Sequence, residues 1–465
     1  PERTLSDGSA GARASSEEIA RTLELLRREG CDTFVTSLAH ALVDDGRERE
    51  IAETIARMGA RSIAASRVAP HPRLLTRTET AIVTARIAPS IEAFVADAGA
   101  SAPSGSRVLL FTSAGVLQSS GVYEARDTLF SGPAGGAVAV CEVARRHAIP
   151  RAIGFDMGGT SSDVTRAENG RVALRHETRL ARSTVAAPAL AIDSVAAGGG
   201  SICRARDGAL EVGPESAGSS PGPACYGRGG PLTVTDVNLL AGRCAPALGA
   251  MPLDRGAAER ALTEVAATRG STEEETLSAL LDIADARMAL AIENLCVRDG
   301  VDARGGEDGE RSHTLVAFGG AGGQHACSIA SRLGLARIVF PHAAGFMCAK
   351  GVAQAKPTRM QSAPVLAPLA GNMAAALAAR DAALEDAEQR LASDGFVAKD
   401  TAAATAAPRA RVRGPDVGVV GVGVGRPAGL RTATTPSTAQ RDRDRTVTTW
   451  VESVHILSPS TTGSM

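Results

Sequence analysis

The chain is poor in several features that usually betray a function. Aromatic residues make up only 3% of its 465 residues, with one tryptophan, Trp450. Lysine occurs only at Lys350, Lys356 and Lys399; the basic charge is nearly all arginine, a coding bias without functional weight. The formal net charge is −1, so electrostatics argue for neither nucleic acid nor an anionic membrane as a partner. No apolar run reaches the roughly 18 residues of a membrane span, and no secretory signal is visible. The eight cysteines form no CxxC pair and the eight histidines no HxxxH. Reduced thiols in a cytoplasmic protein are expected, and a zinc site built from local spacing is not. No GK[ST] occurs, so there is no P-loop.

What is present is α/β patterning over a length sufficient for two or three domains. Ser15 or Ser16 caps a helix over 17–29, with Ile19, Leu23, Leu25 and Leu26 on its buried side. Strands over 33–38 and 61–65 flank a helix over 45–58, in βαβ-like alternation. A helix over 77–96 and a strand over 108–112 follow. Farther on, the helix 273–297 carries Leu277, Leu280, Leu281, Ala284, Met288, Ala291, Ile292 and Leu295 at helical spacing, a core stripe. Another helix covers 371–394. Residues 1–14 and the chain from about 410 lack periodicity and are expected to be disordered. Pro1 in place of Met suggests that an earlier segment exists.

Two stretches carry candidate chemistry. In IGFDMGGTSSDVT (153–165) an apolar strand delivers Asp156, Gly158 and Gly159 make a turn, and Thr160, Ser161 and Ser162 precede Asp163. Glycine permits tight turning and close approach, successive N–H groups form an anion nest, and hydroxyls add donors. An acid beside such a nest suits Mg²⁺ or the orientation of a water. An ordinary glycine hairpin with a surface acid is the competing reading. In TLVAFGGAGGQHA (314–326) a buried strand runs into Gly319, Gly320, Gly322 and Gly323, and then a helix opens. A helix N-terminus placed this way meets an anion or the ribose end of a nucleotide. His325 there is either catalytic or a locally bonded helix-start histidine.

Lesser candidates surround them. FSGPAGGAVAV (130–140) starts a small-residue helix at Ser131 and Gly132, suited to close packing or to a ligand. Gly198, Gly199 and Gly200 form a triple-glycine loop. Residues 212–228 read as a long Gly/Pro/Ser loop with Glu215, Tyr226 and Arg228 as its polar groups. Asp236 is a candidate helix cap, and Cys225 and Cys244 are either nucleophiles or inert buried thiols. A loop over 341–353 enters a further small-residue helix.

GFDMGGTSSDV, SGPAGGAVAV, AAGGGSI, VGPESAGSSPGPACYGRGGPLTVTDVNLLAGR and VAFGGAGGQHA together resemble the hydantoinase A/oxoprolinase family, over roughly 30–365. That family includes ATP-dependent 5-oxoprolinases and N-methylhydantoinases and one subunit type of acetone and acetophenone carboxylases. The resemblance implies an actin-like ATPase (ribonuclease H-like) fold of two lobes with nucleotide in the cleft. It implies ATP and Mg²⁺ as cofactors and catalytic roles for Asp156 and, more weakly, Asp163 and Asp236. Asp156 would be the metal ligand. Ser131, Gly132, Gly158, Gly159, Thr160, Ser161, Gly198, Gly199, Gly200, Gly319, Gly320, Gly322 and Gly323 would bind nucleotide.

The chain also departs from that pattern. No upstream acid–Gly–Gly–Thr hairpin is present, so the first lobe is expected to be incomplete. The resemblance stops after Arg409–Gly414, where a frameshift or gene-model error would explain the tail. Residues 191–194 lack the family's histidine. The expected organisation is a disordered start (1–14), a remnant of the N-terminal region and first lobe (15–147), the nucleotide-binding lobe (148–365), the helical start of a C-terminal region (366–408) and a disordered tail (409–465). The expected activity is ATP-dependent opening of a cyclic amide, hydantoin or 5-oxoproline, by phosphorylation of its oxygen, with a hydantoinase B-type partner. The alternatives are a subunit of a ketone carboxylase acting on a ketone substrate, or an inactive nucleotide-binding fragment.

Overall fold

The computed structural model describes residues 9, 11–248, 251–304, 312–365, 373–393, 409–414, 417–423 and 449–456. Helix α1, Ser16–Arg28, is capped by Ser15, whose hydroxyl accepts from the Glu18 N–H (3.2 Å) while Glu18 accepts from the Ser15 N–H (2.7 Å). Of its expected buried side only Leu23 is fully buried, in a cluster with Phe34, Ile51 and Ile55, while Leu25 (58%) and Leu26 (41%) are exposed. Strand β1, Thr33–Thr36, helix α2, Gly46–Arg57, and strand β2, Arg61–Ala64, form the expected βαβ unit, with β1 and β2 parallel. The fully buried Glu48 pins it, accepting from the N–H groups of Leu38 (2.8 Å) and Ser66 (2.6 Å). Helix α3, Leu74–Ser101, is longer than expected at both ends and runs through Pro89.

The centre of the molecule begins with α4, Ser131–Arg146, followed by β3, Arg151–Met157, β4, Ser162–Glu168, and β5, Ile192–Val195. Next come α5, Val234–Leu240, α6, Glu273–Arg298, β6, Thr314–Phe318, α7, Gly322–Leu333, β7, Arg337–Val339, and α8, Met347–Gln354. The sheet order is β5–β4–β3–β6–β7. The first three strands form an antiparallel meander, and β6 and β7 add parallel to β3. A meander followed by parallel additions on the side of its first strand is the ribonuclease H-like order.

Alternation along β3 decides which groups meet. Ile153, Phe155 and Met157 face the α6 stripe of Leu280, Ala284, Met288, Ile292 and Leu295, the main core. The alternate positions Ala152, Gly154 and Asp156 face α4 and α8, where Val140, Ala144 and Met347 form a second core with Ala152. A Cβ on Gly154 would stand 2.7 Å from both Thr165 Cγ2 and Val140 Cγ2, so α4 lies tight on the sheet. A Gly135 Cβ would lie 2.5 Å from the Cys348 carbonyl oxygen, and a Gly351 Cβ would overlap the Gly135 carbonyl oxygen. The small residues of 134–137 therefore let α4 and α8 cross backbone on backbone.

Helix α9, Met373–Ser393, lies against a sheet in which Thr358–Val365 pairs with Thr449–Ile456, Thr449–Ile456 with Arg409–Gly414, and Arg409–Gly414 with Val417–Gly423. Most of the expected disordered tail, like residues 1–8, lies outside the described residues, and its described segments are these last three strands. Among the described residues no helix is long and apolar enough to cross a membrane.

Candidate functional site

The β3–β4 hairpin turns where expected. The Gly158 N–H donates to the Ser161 carbonyl (3.0 Å), while Gly158, Gly159 and Thr160 are exposed and Ser161 is half-buried. No atom lies within 4 Å of a Cβ built on Gly159, so the turn's outer side is open to a ligand. The triple-glycine loop stands behind it. Gly199 and Gly200 donate their N–H groups to the carbonyls of Gly158 (3.0 Å) and Gly159 (2.6 Å). A Cβ on Gly198 would meet Ser161 N at 2.6 Å. Gly198, Gly199 and Gly200 are buried, so they carry the turn from behind rather than face its open side.

Asp156 and Asp163 are a cross-strand pair in the β3–β4 register, so their side chains share one face. Burial pushes both carboxyls up, and the charge of Asp156 pushes Asp163 further; the Ser194 hydroxyl pulls Asp163 partly back. The Cys348 thiol, in the first turn of α8, donates to Asp156 Oδ2 (3.0 Å). No Lys or Arg of the described residues pairs with either acid. Two adjacent half-buried carboxylates without a cation suit a divalent ion completed by water and phosphate oxygens, the usual Mg²⁺ arrangement. Asp156 would hold it, with Asp163 beside it. Among the described residues no group of three or more His, Cys, Asp or Glu is arranged to enclose a metal ion alone.

The second glycine turn meets the first acid. Gly319 has φ +83°, and a Cβ there would lie 2.5 Å from the Met157 carbonyl oxygen and closer still to Asp156 Oδ1. Its N–H donates to Ala344 O (3.1 Å), and the Ala321 N–H donates to Met157 O (3.0 Å), locking the ends of β3 and β6 together. Gly320 and Gly323 are exposed and Gly322 is buried at the start of α7. The structure thus brings Asp156, Asp163, Cys348 and Gly319 together at one end of the sheet.

Other candidates resolve differently. Ser131 donates its hydroxyl to Thr128 O (2.9 Å), and Gly132 next to it is exposed. Asp236 is fully buried and accepts from the N–H groups of Ala224 (3.1 Å), Cys225 (2.7 Å) and Thr233 (2.7 Å) and from the Thr233 hydroxyl (2.8 Å). It ties Ala224 and Cys225 of the preceding loop to Thr233 at the start of α5, and so serves as an anchor of that loop. Burial and Asp236 raise the thiols of Cys225 and Cys244, which disfavours the nucleophilic thiolate at both. Glu215 is exposed and pairs with Arg204 (2.8 Å). His325 is not bonded locally: its ring nitrogens reach Asp285 (2.5 Å) and Asn238 (2.8 Å), each on another helix. Cys348 was not singled out from sequence, because no local pattern places it beside a residue 192 positions away. Two cavities of about 430 and 360 Å³ lie elsewhere, beside Ile63 and Tyr123 and beside Arg146 and Lys350.

The fold is of the actin-like ATPase type. Two solved structures share the architecture. One is the ATP-dependent caprolactamase of Pseudomonas jessenii (TM-score 0.80, 24% identity, 98% of this chain, 69% of that one). The other is nucleotide-free acetone carboxylase (TM-score 0.73, 20% identity, 98% and 69%). The hydantoinase/oxoprolinase family model matches residues 77–361, and the chain belongs to that family. It is 37% identical to the 5-oxoprolinase PfmaA of Pestalotiopsis fici over 74% of this chain and 28% of that protein. It is 32% identical to the 5-oxoprolinase of Saccharomyces cerevisiae (72% and 27%) and 30% identical to the caprolactamase subunit alpha of Pseudomonas jessenii (75% and 51%). The chain thus spans less than a third of the two 5-oxoprolinases and about half of the caprolactamase subunit.

Proposed function

We propose that this chain is the nucleotide-binding part of a cytoplasmic ATP-dependent enzyme that opens a cyclic amide, 5-oxoproline or a hydantoin, by phosphorylating the amide oxygen. The observation that carries the reading is the cross-strand pair Asp156–Asp163 at the mouth of an open glycine turn, with Gly319 packed against the first acid. The relatives named 5-oxoprolinase and caprolactamase support a lactam as substrate.

An unstrained amide resists attack by water. Phosphorylation of its oxygen gives an imidate with a good leaving group. Phosphoryl transfer asks the protein mainly for position and charge neutralisation. In this reading the N–H groups and hydroxyls of Gly158, Gly159, Thr160 and Ser161 hold phosphate oxygens. Asp156, oriented by the Cys348 thiol, holds Mg²⁺ or orients a water, and Asp163 tunes its charge. Gly319, Gly320, Gly322 and Gly323 border the nucleoside, and Ser131 and Gly132 open the helix that crosses α8. Bound Mg²⁺ would neutralise charge on the transferring phosphoryl group. A hydantoinase B-type partner would complete the hydrolase.

A second reading, a subunit of a ketone carboxylase, rests on the shared fold with acetone carboxylase. The test is ATP turnover by the chain with its partner, screened against 5-oxoproline, hydantoins and ketones. Stimulation by a cyclic amide is expected; stimulation by ketones alone would replace the first reading with the second.

A further inference from the structure

A buried polar network lies behind the second glycine turn, outside the roles proposed above. His325, near the start of α7, is fully buried. Its Nδ1–H donates to Asp285 Oδ1 on α6 (2.5 Å), and its Nε2 accepts from the Asn238 side-chain amide on α5 (2.8 Å). Asp285 also accepts from Arg243 (3.2 Å), which in turn donates to Ser328 on α7 (3.3 Å). Burial by itself would push the Asp285 carboxyl up. Its bonds to His325 and Arg243 outweigh that and hold it below the usual carboxylate range, an anionic acceptor. With that acceptor on Nδ1 the tautomer is fixed. The bond to Nε2 leaves Asn238 Oδ1 buried without a partner, an unsatisfied acceptor that costs stability. Apolar side chains would fill the same space without that cost. A polar clamp adds a fixed distance and angle between helices.

Helix α5, whose Asn238 bonds His325, also holds the phosphate turn. In α5, seven residues long, Thr235 gives its N–H (2.7 Å) and hydroxyl (2.8 Å) to Gly199 O. Gly199 in turn donates to Gly158 (3.0 Å). One short helix is therefore hydrogen-bonded, at residues three apart, to the support of the 158–161 turn and to the helix that opens from the 319–323 turn. We propose that Asn238 and His325 are positioning residues, which hold the nucleoside-side glycine turn in register with the phosphate turn through α5. The proposal rests on the nucleotide-site reading.

The test is calorimetric binding of two ligands, ATP and inorganic tripolyphosphate, each with Mg²⁺, to the 465-residue chain. Tripolyphosphate engages the phosphate turn and offers the nucleoside-side turn nothing. His325→Asn keeps a donor near Nδ1 for Asp285 and removes the bond to Asn238; Asn238→Leu removes the same bond from the other side. Each variant is expected to weaken ATP about tenfold, roughly 1.4 kcal/mol, and to leave tripolyphosphate unchanged. The double variant should be no weaker than either single one, because both lose one contact. Equal loss of both ligands, or loss of neither, overturns the proposal. Wild type that binds neither ligand overturns the nucleotide reading itself, and the proposal with it. If His325→Asn does not fold, Asn238→Leu alone decides.

Discussion

Gly319→Ala tests the closest approach in the site. Gly319 sits at φ +83°, and its added Cβ would lie 2.5 Å from Met157 O and 2.8 Å from Met157 N. The left-handed backbone costs an alanine about 1–2 kcal/mol. The overlap is with the backbone of β3 and the head of Asp156, which no rotamer change of the alanine relieves; overpacking of this kind costs about 1–3 kcal/mol. The expected loss is therefore about 2–5 kcal/mol. Gly320→Ala is the control, since its Cβ meets nothing within 4 Å. Its stability should stay within about 0.5 kcal/mol of wild type. Urea denaturation followed by far-UV circular dichroism measures both. Because the strain falls on Asp156, Gly319→Ala should also lose Mg²⁺-ATP binding under conditions where it is still folded. Gly320→Ala should lose affinity alone if that face borders the nucleoside. Equal stability of the two variants would refute the packing argument.

Other perturbations probe the acid pair and the helix crossing. Burial raises the Asp156 carboxyl above its unfolded value, so the ionised form weakens the fold at neutral pH. That penalty fades as pH falls through the raised folded value. Asp156→Asn should therefore melt higher than wild type at neutral pH, with the gap closing on acidification, and should abolish ATP turnover; a lower melting temperature across the whole range would contradict this. Mg²⁺-ATP should raise the melting temperature of wild type but not of the variant. In Gly351→Ala the new Cβ would also stand 2.7 Å from the Gly135 carbonyl carbon and 3.0 Å from Ala139 N. Forcing α4 and α8 apart should cost about 3 kcal/mol or more, read as early melting and rapid limited proteolysis.

The sequence by itself determined the elements and the motif. An apolar run that ends in an acid and two glycines marks β3 and its turn, and the apolar stripe marks α6. The glycine turn after Asp156 sits where its residue types place it, because turn chemistry and periodicity are local. Local patterns also left open whether the small residues of 130–140 served packing or a ligand, and contact with α8 settled Gly135 and Gly136 as packing. Only tertiary structure could show that Asp236 anchors a loop, that Gly198–Gly200 brace the 158–161 turn, and that His325 answers to Asp285 and Asn238. It also placed the Cys348 thiol on Asp156. The partners of Asp236 lie 3 to 12 residues away, and those of His325 and Asp156 lie 40 to 192 residues away. A buried polar group takes whichever partner the packed helices and sheet bring within about 3 Å, and that choice is made in space, not along the chain.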